Sequence, residues 1–253
     1  MNHNTYTARA QRVHRFSATP IVIMSAFLTV FGLFAASLSA QENQRTFSLP
    51  EGCTAYLTVQ SQDCSVDHHF TCEGDPEGHK QRISLTEDGV VYVGSTNFES
   101  EWVGSFHPRS GHSERLGPNP VDAASFTELT ETGLDTFDFE TLSDEIGTTR
   151  YVGQDRLTGK TVTIDGIQLE ETEYNIRALT PEGEEMWRAG GNEYISRRWR
   201  SFFAGTGTVT TPTDSYDKDD SPVEFIFPGE PGFLSANPKH GCGVQLSSFE
   251  VLK

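Results

Sequence analysis

The strongest constraint on how this chain can fold is an alternation of apolar and polar residues with period two, recurring between residues 54 and 227. In "TAYLTV" (54–59) Ala55, Leu57 and Val59 share one face, and Thr54, Tyr56 and Thr58 the other. "DTFDFET" (135–141) sets Phe137 and Phe139 against Thr136, Asp138 and Glu140. "TVTID" (161–165) sets Val162 and Ile164 against Thr161, Thr163 and Asp165, and "PVEFIF" (222–227) turns Val223, Phe225 and Phe227 inward. Successive side chains of a strand point to opposite faces, so each run predicts a strand with one buried and one wet face. Turn chemistry falls between the runs: "EDG" at 87–89, "LTGK" at 157–160, "DG" at 165–166, "PEGE" at 181–184 and "AGGN" at 189–192. The prediction is an all-β fold: an antiparallel meander that makes a curved sheet, a half-barrel or barrel, or a sandwich.

The inward parity slips twice. Ile167 and Leu169 are odd where Tyr174, Ile176 and Ala178 are even, and Val244 and Leu246 are followed by Phe249 and Val251. A β-bulge at each place would restore the inward face and curve the sheet. "NPVDAASFTEL" (119–129) is the one helix candidate, with Asn119 as cap and Pro120 in the first turn. A weak domain boundary is placed near 111–120, in a stretch rich in Pro and Gly, and "TPTDSYDKDDSP" (211–222) reads as an exposed polar loop.

Residues 1–40 read as a signal peptide: Arg9, Arg12 and Arg15 precede the apolar run "IVIMSAFLTVFGLFAASL" (21–38), which exits through small residues to Ala40. The competing reading is an uncleaved anchor, since the run approaches spanning length. Cleavage after Ala40 leaves a single domain over 41–253, with no later apolar stretch able to span a membrane, in the periplasm or beyond the cell. It also takes the net charge from −17 to −20, a field that repels nucleic acid and anionic lipid.

Cys53, Cys64, Cys72 and Cys242 all lie in the exported part, and an even count there reads as two disulfides. Three pairings are possible. Proximity favours Cys64–Cys72, which leaves Cys53–Cys242 to tie the start of the domain to its end. The alternative is a zinc or copper site from Cys64, His68, His69 and Cys72 in "CSVDHHFTC", whose donor types are right. Adjacent histidines on a strand, however, point to opposite faces.

The candidate contact surface is "ISRRWRSFF" (195–203), where Arg197, Arg198 and Arg200 flank Trp199 in a strongly acidic chain. Arginine forks bind carboxylate or phosphate and Trp stacks rings or cations; the competing reading pairs the arginines with nearby Glu and buries Trp199 and Phe203. Asp214, Asp217, Asp219 and Asp220 offer oxygen ligands for calcium but lack the EF-hand spacing, and solvated loop charge explains them as well. His107 and His112 flank Ser110 and Ser113 without a nucleophile-elbow pattern, and no Walker or dinucleotide-binding motif occurs. No cofactor is expected.

"YVGQDRLTGKTVTIDGIQLEETEYNIRA" and "GEEMWRAGGNEYISRRWRSFFAGTGT" resemble uncharacterised exported β-rich proteins of Gram-negative bacteria, a resemblance over the central third of the chain that implies no activity. The strand-after-strand layout also resembles periplasmic lipoprotein carriers, whose curved sheet cups acyl chains, and implies a similar hollow. The expectation is an exported, non-catalytic binding or envelope-associated protein holding a small apolar ligand or a protein partner. The alternative is a secreted enzyme or metalloprotein with a site assembled from residues such as His68, His69, His107 and His112.

Overall fold

A computed structural model describes residues 45–243. The expected signal peptide and the slip between Val244 and Val251 lie outside the described residues. The strands are β1 (Cys53–Ser61), β2 (Ser65–Cys72), β3 (Lys80–Thr86), β4 (Gly89–Thr96), β5 (Trp102–His107) and β6 (His112–Leu116). After helix α1 (Phe126–Thr132) come β7 (Leu134–Ser143), β8 (Gly147–Ile164), β9 (Ile167–Leu179), β10 (Glu185–Ser196), β11 (Ser201–Thr210), β12 (Ser215–Asp219) and β13 (Pro222–Ile226). All thirteen make one antiparallel sheet in which β1 to β12 follow chain order and β13 returns to pair with β1. β12 and β13 are its edges, so the sheet is curved but not closed into a barrel. It runs without interruption through 111–120, where β6 pairs with β5 and β7.

Several turns form as their residues dictate. Asp165 and Gly166 both take positive φ, 48° and 76°, the requirement of a two-residue hairpin turn that matches strand twist, and they join β8 to β9. "LTGK" and "AGGN" behave differently. Gly159 (φ 78°) sits in an irregularity inside the 18-residue β8, where three β8 residues oppose one of β9 between Leu157 and Thr161. Gly190 and Gly191 lie within β10, where a Cβ on Gly191 would stand 2.1 Å from the Thr206 carbonyl oxygen. That glycine serves close strand approach, not reversal. The predicted polar loop likewise contains β12, whose Asp217 accepts from Thr208 Oγ1 at 2.6 Å.

The parity slip in β9 is not a bulge in that strand, because β9 pairs residue for residue with β10 from Glu170 to Ala178. Its two parities serve two cores. Ile176 and Ala178 join Phe137, Phe139 and Tyr151, whereas Leu169, flanked by Ile167, packs with Leu57, Val59, Phe203 and Phe225. The β8–β9 tip therefore folds back over β1 and β13, and Asp165 Oδ2 accepts from Phe225 N at 2.8 Å to fasten it there. A third core, of Ala55, Val66, Phe70, Ile83 and Leu85, is covered by Phe47, Leu49, Phe233 and Leu234 from the two ends of the domain. β1 thus has no wet face from Leu57 onward: Thr58 and Gln60 are fully buried, and Gln60 exchanges hydrogen bonds with Asn237 O (3.1 Å) and Lys239 N (3.0 Å).

The disulfides are Cys53–Cys72 and Cys64–Cys242, which corrects the predicted Cys64–Cys72 and Cys53–Cys242 pairing. Cys53 and Cys72 are direct cross-strand partners at the far ends of β1 and β2, while Cys64 sits in the turn joining those strands. Eight residues of extended strand separate Cys64 from Cys72, about 26 Å at roughly 3.3 Å per residue, so sequence proximity is the reverse of spatial proximity.

The helix begins six residues later than expected at its first turn. Asn119 is left-handed (φ 57°), and Asp122 is held extended by two backbone bonds to Asp138, 3.0 and 2.8 Å. Ser125 is the cap, its Oγ accepting from Glu128 N at 3.1 Å, and Gly133 (φ 87°) ends the helix.

Candidate functional site

Cross-strand pairing assigns one parity of nearly every strand to a concave inner face. One row runs Leu57, His69, Arg82, Gly94, Ser105, Glu114 across β1 to β6. Another runs Asp135, Asp155, Tyr174, Gly191, Gly207, Lys218 across β7 to β12. Between them lies a hollow of about 780 Å³. Its apolar wall holds Trp102, Phe137, Phe139, Ile176, Trp187 and Phe126 of α1. Trp102 is edge-on to Phe139 and Tyr151 (5.8 and 5.4 Å) and keeps 44 % of its surface exposed, an unusual fraction for an indole among so many rings. Glycine makes room for part of this wall: a Cβ on Gly153 would stand 2.6 Å from the Phe137 ring.

Opposite the rings lie charges. Arg82 stacks over Tyr92 at 4.7 Å and reaches Asp67 at 3.8 Å, and Lys218 bonds Asp220 at 2.6 Å. Asp135 Oδ1 and Oδ2 each accept from Ser125 N at 3.1 Å, yet burial outweighs those bonds and pushes its pKa up to about 6. Asp155 and Glu193 face the same hollow from β8 and β10, and their carboxylates accept no hydrogen bond among the described residues. Burial raises Asp155 far above the ordinary carboxylate range, with Glu193 and Asp135 adding like charge. Burial raises Glu193 as well, against the pull of Lys218 and of Arg82, which is offered from the other side of the hollow. Carboxyls raised in this way keep their protons to higher pH than free ones, and donate hydrogen bonds while protonated or pair with a cation once ionised.

The arginine cluster is at the β10–β11 turn. Arg197 forks onto Glu170 (2.5 and 3.0 Å), and Arg200 bonds Glu99 (3.0 Å), Thr127 (2.8 Å) and Phe98 O (2.9 Å) while stacking over Phe98. Trp199 stacks on Phe225 beside Phe203, and the exposed Arg198 lies over its ring at 5.4 Å. All four thus have intramolecular partners, Arg198 through the Trp199 ring alone. The Cys64, His68, His69, Cys72 metal set is not assembled, because both cysteines are in separate disulfides and the histidines point to opposite faces. His68 stacks on Phe47 and meets Thr58 Oγ1 at 3.0 Å, whereas His69 lies beside Phe203 on the hollow's side. His107 and His112, by contrast, are brought face to face with Glu114. The acids Asp217, Asp219 and Asp220 fall on and beside β12, apart from Asp214 in the preceding turn.

Asp155, Glu193 and Arg82 carry no motif. The signal that could have found them is parity: Asp135 shares the inward parity of Phe137 and Phe139, and Glu193 that of Trp187 and Ala189. Comparison with family models, with curated proteins and with solved structures finds no match for this chain. Among the described residues no helix is long and apolar enough to cross a membrane.

Proposed function

We propose that this is an exported binding protein, periplasmic or secreted, that holds a small, largely apolar ligand in the hollow of its curved sheet without transforming it. The carrying observation is the hollow itself: about 780 Å³, within the size range of small-molecule sites, with rings on one wall and charged and polar groups opposite. Two disulfides support an oxidising compartment. Asp155 and Glu193, whose carboxylates accept no hydrogen bond among the described residues, favour a ligand whose polar end is a hydrogen-bond acceptor when they are protonated, or an amine when they are ionised. An apolar body lies against Trp102, Phe137 and Trp187.

The test is a neutral hydrophobic dye displaced by long-chain amines and fatty acids. The wild type should bind the dye and release it to the amine. Ala189→Trp, which adds an indole to the wall between its strand neighbours Ile176 and Val209, should reduce dye affinity at least tenfold with its far-ultraviolet spectrum unchanged. Dye binding that ignores this substitution would place the ligand elsewhere and sink the proposal.

A further inference from the structure

His107 and His112 are direct partners across the β5–β6 hairpin, and Glu114 lies two residues along β6, hence on the same inner face. The two imidazoles stack 4.4 Å apart at 11°. Glu114 is divided in its duties. Its Oε1 accepts from Thr141 Oγ1 at 2.7 Å and from Tyr151 OH at 3.3 Å. Its Oε2 faces His107 Nε2 at 3.4 Å and His112 Nε2 at 3.9 Å. One donor atom from each of the three residues lies within 4.8 Å of the other two.

Ligands about 2.0 to 2.2 Å from a tetrahedral ion sit roughly 3.3 to 3.5 Å from one another. The His107–Glu114 pair already has that spacing, and small tilts of the His112 ring bring the rest into range. The outer supports of a metal site are also present: Thr141 and Tyr151 hold the far carboxylate oxygen, and Ser110 Oγ meets His112 Nδ1 at 2.7 Å, leaving Nε2 to face inward. Ser105 Oγ, 3.2 Å from His107 Nε2, satisfies that nitrogen when no ion is present. His107 and Glu114 line a smaller cavity of about 230 Å³ with Tyr92, Trp102 and Trp187, rings that also border the main hollow.

We propose that His107, His112 and Glu114 form a three-ligand site for a divalent transition-metal ion of the zinc class, with its remaining coordination position open to the smaller cavity. Two imidazoles and one carboxylate suit zinc, and nickel and copper by the general affinity order, whereas calcium and magnesium prefer oxygen alone. The hairpin supplies the preorganisation, since its register places the two rings before any ion binds.

Untagged protein stripped with chelator and titrated with zinc should take up one equivalent and melt at a higher temperature. Cobalt should give the visible absorption of a low-coordinate nitrogen–oxygen site, a signature no purely structural role produces. His107→Ala, His112→Ala and Glu114→Gln should each weaken zinc binding by more than tenfold and abolish the cobalt band. Thr141→Val, which removes the shorter of the two hydrogen bonds to Glu114 Oε1, should cost about tenfold. His79→Ala, at a turn remote from these residues in sequence, should change nothing. Circular dichroism of each metal-free variant separates lost ligation from lost folding. Absence of zinc uptake by the wild type at micromolar metal, or equal uptake by a folded His107→Ala/His112→Ala variant, would overturn the proposal.

Discussion

Asp155 and Glu193 make protonation part of this protein's stability. In the unfolded chain such carboxyls titrate near 4, whereas burial raises both in the folded protein and raises Asp135 to about 6. Between those limits the folded state holds protons that the unfolded state has released, so stability declines as pH rises from about 4 toward neutrality. His68 and His69 act in the opposite sense. Burial lowers them to about 4 and about 3, so the unfolded chain takes up protons below about 6.5 that the folded state refuses, and their contribution fades as pH falls. The expected outcome is a stability maximum in mildly acidic solution. Asp155→Asn with Glu193→Gln should flatten the alkaline side, raising the melting temperature more at pH 8 than at pH 5. Identical shifts at both pH values would show that these carboxyls are ionised in the folded state.

Among the elements, the two disulfides do unequal work. Cys53–Cys72 closes a sequence separation of 19 across one strand pair, and Cys64–Cys242 closes 178. In the loop-entropy description they stabilise by about 3 and about 5 kcal/mol. The longer bridge also anchors the C-terminal segment: Cys64 N donates to His240 O at 3.0 Å, and a Cβ on Gly241 would collide with the Gln62 carbonyl at 1.6 Å. Cys64→Ser with Cys242→Ser should therefore lose more in denaturant unfolding than Cys53→Ser with Cys72→Ser. It should also speed hydrogen exchange at Leu234 N, which donates to Thr58 Oγ1 at 3.0 Å. The reverse order of stabilities would mean the tail is held by its core contacts and not by the bridge. The helix teaches a smaller lesson. Ser125, three residues before Glu128, is a legible cap, but Asn119 before Pro120 looks as good until Asp122 is seen bridged to β7.

At the scale of the molecule, a meander of successive strands is extended at its β1 edge by β13, a strand from far along the chain. β13 covers the edge of β1 through Thr58–Ile226, Val59–Phe225 and Gln60–Glu224. Without it β1 would offer an apolar strand with unpaired backbone, a template for association. A chain ending at Asp220 should consequently form concentration-dependent oligomers in sedimentation, whereas the chain ending at Gly243 should not. A monomeric truncated protein would show that β1 is protected by the 45–50 segment alone.

The alternation of residues was enough to determine an all-β meander, and local turn chemistry placed three of the five turns read from it, because strand parity and turn chemistry are local properties of the backbone; the even cysteine count pointed to disulfides. Asp165 was visible as a turn residue for the same reason, and His107 and His112 as imidazoles close to serines. The register of the β1–β2 hairpin joins Cys53 to Cys72, while the Cys64–Cys242 contact, which parity faces which core, and where Asp155 and Glu193 gather were decided by the curl of the sheet. Curl brings together residues far apart in the chain, and a period of two cannot distinguish a face turned to a second core from one turned to water. The same limit hid the inner acids: a carboxyl at an inward position declares itself only once the strands around it have closed a hollow and left it without a partner.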